Sequence, residues 1–95
     1  QELLDIFQQP FESVCQDLTN PQIFFLRALS DGVEQFSSRD VLQKYSLNSS
    51  ANVYRVRDAL EKKAIIETVR KKPSFIDPLF KLWFKERFCK TYWMK

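Results

Sequence analysis

The chain reads as a mainly α-helical domain carrying one two-stranded β-hairpin. Three observations predict this. Apolar positions recur at helical spacing through most of residues 3–60. A β-branched run, Ile65 to Val69, then breaks that period. A cationic turn, Arg70-Lys71-Lys72-Pro73, sends the chain back before Asp77-Pro78 opens another helix. A length of 95 residues allows one domain with a modest core, and 44% hydrophobic with 15% aromatic residues excludes a disordered chain.

In residues 2–19, Leu3, Leu4, Phe7, Phe11, Val14, Cys15 and Leu18 share a helical face, and Pro10 divides it into two short helices, standing near the start of the second. Asn20-Pro21 reads as an N-cap with proline in the first turn, opening a helix to about Leu29 that buries Phe24 or Phe25, Leu26 and Leu29. Gly32, the only glycine, is its stop. Ser37-Ser38-Arg39-Asp40 resembles a capping box and starts a helix of about two turns bearing Val41, Leu42 and Tyr45. Ser46 to Ser50 form a turn with Leu47 pointing inward, and Asn48 or Ser49 caps the next helix, which runs to about Lys62. Its buried stripe is Val53, Val56, Ala59 and Leu60.

Ile65, Ile66, Thr68 and Val69 form one strand and Ser74-Phe75-Ile76 its partner, because β-branched side chains lose rotamer freedom in a helix. The turn lacks the Asn-Gly pair of tight hairpins, so a looser four-residue tip is expected. Asp77 reads as the cap of a last helix carrying Leu79, Phe80, Leu82, Trp83, Phe84 and Phe88. Helices, hairpin and helix in this order, with a basic hairpin tip, spell a winged helix-turn-helix: a three-helix core, a two-stranded wing, an extra N-terminal helical segment and a C-terminal helix.

Charge is uneven along the chain. Residues 1–48 hold three basic and seven acidic side chains, whereas residues 49–73 hold seven basic and three acidic. A basic second half fits an anionic partner such as duplex DNA, and equally an acidic surface on a neighbouring domain or on this domain's own first half. In the DNA reading, the helix from Ser50 presents Ser49, Ser50, Asn52, Tyr54, Arg55, Arg57 and Lys62, while Arg70, Lys71 and Lys72 at the tip meet phosphates. Ser49 and Ser50 are also explained by capping alone, the outward helix face by solvation, and the lysine-rich tip by protection of a strand edge. The aromatics Trp83, Phe84, Phe88, Tyr92 and Trp93 exceed what one face of a small domain needs, and so suggest a protein interface besides the core.

Catalysis finds no support in these residues. There is no histidine, no nucleophile-base pair, no metal-ligand spacing and no phosphate-cradling glycine loop. A non-enzyme without cofactor is expected. No stretch approaches the roughly 18 apolar residues of a membrane span. With no secretory signal pattern, Cys15 and Cys89 read as buried, reduced thiols of a cytoplasmic protein. The start at Gln1, with Met94 the only methionine, reads as a fragment or processed product.

The stretches Thr19 to Leu29, Tyr45 to Leu47, Ser49 to Val53, Ala59 to Ile66 and Ile76 to Phe84 together resemble the C-terminal winged-helix domain of prokaryotic P-loop ATPases of the AAA+ type. The pairing of Ser-Ser-x-x-Val and Ala-Leu with Asp-Pro-x-Phe-x-x-Trp carries the resemblance, over roughly residues 18–88. It implies an ATPase domain using ATP and magnesium upstream of this chain, residues 1–18 as the helical connection and 19–95 as the winged helix. It also implies structural roles for Leu47, Val53, Leu60, Ile66 and Trp83, and places Asn52, Arg55 and Arg57 on the helix that reads DNA in winged-helix relatives. Some such domains are interaction or regulatory modules on the ATPase, which leaves two expectations: DNA binding, or docking on the ATPase core or a partner. Oligomeric state is not legible.

Overall fold

Four of the helix starts are set by a side-chain cap, and these caps fix the frame. The computed structural model describes residues 3–88. The helices α1 (Leu3–Ile6) and α2 (Gln8–Gln16) are followed by α3 (Asn20–Ser30), α4 (Arg39–Lys44) and α5 (Ser50–Lys62). Strands β1 (Ile66–Val69) and β2 (Lys72–Phe75) precede α6 (Pro78–Trp83), which runs on as a π-helical turn over Phe84–Phe88. The α3 cap is Thr19 rather than Asn20: its hydroxyl accepts from the Gln22 amide while the Gln22 side chain accepts from the Thr19 N–H, a reciprocal box that leaves Pro21 in the first turn. Ser38 caps α4 by accepting from Val41 N–H, so Asp40 lies inside the first turn and closes no box. Ser49 caps α5 and Asp77 caps α6.

Helices α3, α4 and α5 end alike. After α3, Val33 N–H bonds to Ala28 O and Gly32 N–H to Leu29 O. The pattern recurs with Leu47 to Leu42 and Ser46 to Gln43, and with Ile65 to Leu60 and Ala64 to Glu61. These are Schellman ends, which need a left-handed residue. Gly32 supplies it at φ +87° without strain, whereas Ser46 (55°) and Ala64 (60°) do so at a cost of roughly 1–2 kcal/mol each. Each end drops an apolar residue inward, and Leu47 is wholly buried.

The hairpin is tighter than the sequence suggests. Val69 pairs with Lys72, so the tip is two residues, Arg70 and Lys71, at φ 55° and 67°. That is the positive-φ pair of a type I′ turn, built without asparagine or glycine. Lys72 and Pro73 therefore belong to β2. Ile76 N–H bonds to Ile65 O, and the alternation of an antiparallel ladder then puts Pro73, opposite Thr68, at a pair that needs no amide donor. The Thr68 hydroxyl donates to Glu61, tying the wing to α5.

The core joins Phe25 and Leu26 of α3, Val53, Val56 and Leu60 of α5, Ile66 of β1, and Phe80, Trp83 and Phe84. Leu29 and Ala59, expected inside, are half-buried, and Leu82 is 47% exposed. From the loop between α3 and α4, Phe36 stacks on Phe25 with ring centroids 4.6 Å apart. Helix α2 shares the core: Phe11 lies edge-on to Phe80, and Trp83 Nε1 donates to Gln8 Oε1 at 2.8 Å. Cys15 is buried there too, while Cys89 lies outside the described residues. Tyr45, the C-cap of α4, donates its hydroxyl to Asp31 at 2.7 Å, fastening the end of α4 to the end of α3.

Candidate nucleic-acid interface

Helix α5 turns Val53, Val56 and Leu60 inward, so Ala51, Tyr54, Arg55, Asp58 and Lys62 face outward. The ten residues expected to meet DNA divide by what already engages them. Ser49 spends its hydroxyl on the Asn52 N–H. Asn52 is half-buried and gives its side-chain amide to Leu47 O at 2.8 Å, holding the turn before α5. Lys62 pairs with Asp58 at 3.1 Å and Lys72 with Glu34 at 3.6 Å, both among exposed side chains. Ser50 and Arg55 are exposed at the N-terminal half of the helix.

Tyr54, Arg57 and Lys71 come together. The Arg57 guanidinium sits over the Tyr54 ring, 5.0 Å from its centroid, in cation-π contact. With Lys71 and Pro73 of the wing and Glu34 to Ser37 of the α3-α4 loop, they line one open cleft of about 180 Å³. The cleft joins helix and wing into a single surface. Glu34 and the Phe36 loop were not foreseen as part of it, because only the tertiary fold brings residues 34–37 beside the wing. Arg70 is exposed at the tip next to Lys71.

The aromatics expected at a protein interface are placed differently. Trp83 and Phe84 are 1% and 0% exposed, so they hold the core and offer nothing to a partner. Phe88 is half-buried and stacks on Phe84 at 5.0 Å. Tyr92 and Trp93 lie outside the described residues. The wide apolar arc is absorbed because α2 covers the side of α6 that the hairpin leaves open. A different apolar surface remains. Phe11, Val14, Leu18, Ile65 and Phe80 floor a groove of about 380 Å³, with Asp17, Lys63 and Asp77 at its edge.

Burial raises the Tyr45 phenol to about 12, reinforced by its hydrogen bond to Asp31. Among the described residues, no group of three or more histidine, cysteine, aspartate or glutamate side chains is placed to hold a metal ion. None of the described helices is long and apolar enough to cross a membrane.

Helix-turn-helix and hairpin together define a winged-helix fold, the architecture of a DNA-binding or regulatory module. Residues 9–86 match the family model described as a probable winged helix domain, and the chain belongs to that family. Comparison with curated proteins gives no match, and comparison with solved structures gives none.

Proposed function

We propose that this winged-helix domain is a non-catalytic module that binds duplex DNA through α5 and the wing. The observation that carries the reading is the shared cleft, where Tyr54 and Arg57 of α5 stand beside Lys71 of the wing. An α-helix fits the major groove, and a projecting cationic turn beside it meets the phosphate backbone. The tip adds weight. Arg70 and Lys71 occupy left-handed positions where Asn-Gly costs far less, and strain of this kind gathers where a side chain is needed.

On this reading the main contacts come from Arg55, Arg57, Arg70 and Lys71, with Tyr54 alongside. Lys62 and Lys72 contribute after exchanging their carboxylate partners. Ser49 and Asn52 shape the helix entry. We further propose, on the resemblance described above, that the module belongs to a cytoplasmic AAA+ type ATPase. Residues 1–18 would lead in from the ATPase domain, which would hold ATP and magnesium, while this module needs no cofactor of its own.

The test is titration of a labelled duplex at low salt with the whole chain and with Arg55→Ala and Lys71→Glu. Binding that weakens steeply with salt and falls severalfold in both variants supports the reading; no binding at low salt removes it. A second reading, docking on the ATPase core or a partner protein, draws on the apolar groove beside α2. Leu18→Arg would disrupt such docking while leaving DNA affinity unchanged.

A further inference from the structure

We propose that Tyr54 is a specificity residue that packs against the 5-methyl group of thymine in the major groove. The inference rests on the DNA-binding reading and adds what the helix recognises. It follows from which α5 side chains are still available. Ser49 is committed to capping, and Asn52 has given its amide nitrogen to Leu47 O, so the two-point fork an asparagine offers adenine is not presented. Asp58, a potential partner for cytosine, stands in the third turn of α5, behind the N-terminal residues that read base edges. Ser50, Ala51, Tyr54 and Arg55 remain exposed in the first two turns, and of these Ala51 and Tyr54 are the apolar ones.

Ala51 and Tyr54 are three residues apart and so adjacent on the helix surface. Together they form a small apolar patch within a polar face. Tyr54 is 61% exposed, and the Arg57 guanidinium over its ring restrains the side chain on the side of the cleft shared with Lys71. A restrained, exposed ring on a groove-reading helix suits an apolar feature of the base edges. Among the four bases only thymine carries one in the major groove, its methyl group. Phosphate contacts from the wing across the same cleft would hold the ring in register.

The experiment compares an alternating dA-dT duplex with an alternating dA-dU duplex, which lacks only the methyl groups, by fluorescence anisotropy with the whole chain at low salt. We expect the dA-dU duplex to bind about fourfold more weakly, the effect of returning one methyl to water. Tyr54→Phe should keep that ratio and Tyr54→Ala should bring it near one, with thermal unfolding little changed because the residue is mostly exposed and its contact with Arg57 lies at the surface. Equal affinity of the wild-type chain for the two duplexes overturns the thymine assignment alone. So does a ratio that survives Tyr54→Ala. Failure to bind either duplex overturns the DNA-binding reading and the thymine assignment together.

Discussion

The aromatic side of the molecule and its basic side treat their most conspicuous residues in opposite ways. Around α2, α6 and the π-helical turn, large side chains meet one another. Phe11, Phe80, Trp83 and Phe84 are all less than a tenth exposed, and the indole N–H of Trp83 is satisfied by Gln8. Around α5 and the wing, side chains reach outward, some pairing only with exposed partners, and the tip holds two bulky residues in left-handed conformations. Residues that look equally suited to a partner in the sequence thus separate into a set that stabilises and a set that is available. The lesson is to weigh an aromatic cluster against every helix that can cover it, including one far away in the chain.

The strongest challenge to this contrast is Trp83→Ala. Removing a buried tryptophan should cost about 3–5 kcal/mol, and it also strands the Gln8 carbonyl. Chemical denaturation should show a largely unfolded variant. Arg55→Ala, by comparison, should unfold within about 0.5 kcal/mol of wild type. Comparable stability of the two variants would erase the distinction between the two sides.

Tyr45 supplies the next largest effect. Its folded pKa, about 12, lies above the ordinary value of 10.0, so the folded state favours the neutral phenol. The corresponding stability is full below pH 10 and is lost as the pH rises through 12, on the order of 2 kcal/mol in all. The measurement is the difference between wild type and Tyr45→Phe. The variant should lose the part of the alkaline decline due to Tyr45, with about 1 kcal/mol lower stability at neutral pH for the missing hydrogen bond to Asp31.

A smaller effect sharpens the comparison on the basic side. Replacing Arg70-Lys71 by Asn-Gly relieves the strained tip and should stabilise the domain by roughly 1 kcal/mol. The same change should weaken duplex binding. Opposite movement of stability and affinity is the signature of a turn kept for its charges. The smallest effect is expected from Asp58→Asn, which breaks an exposed ion pair worth at most about 0.5 kcal/mol and should leave thermal unfolding almost unmoved.

Much of the frame was legible in the sequence for physical reasons. Ser49 and Asp77 cap as their positions before apolar periods require, Gly32 ends α3, and Leu47 points inward. What escaped was tertiary or energetically unfavourable. The tight tip was hidden because Arg70 and Lys71 are poor residues for the turn they make. The cap of α3 is Thr19, one residue before the expected Asn20, and only its reciprocal bonds with Gln22 show it. Trp83 was expected to have a structural role, but not its distant partners Gln8 and Phe11, which no local pattern connects to it. For the interface, basic residues on α5 and the wing could be named in advance. Their intramolecular partners could not, since the pairing of Lys72 with Glu34 and the lock on Asn52 arise only in the folded chain.

The most direct measurement is the slope of log affinity against log salt concentration for a short duplex, in the wild-type chain and in the Arg70→Asn, Lys71→Gly double variant. If α5 and the wing bind DNA together, the wild type binds at low salt with a steep negative slope. The double variant should then lose up to about 1.8 from that slope, roughly 0.9 for each lost phosphate contact, while unfolding at a higher temperature. An absence of binding at low salt, or an unchanged slope in the double variant, contradicts it.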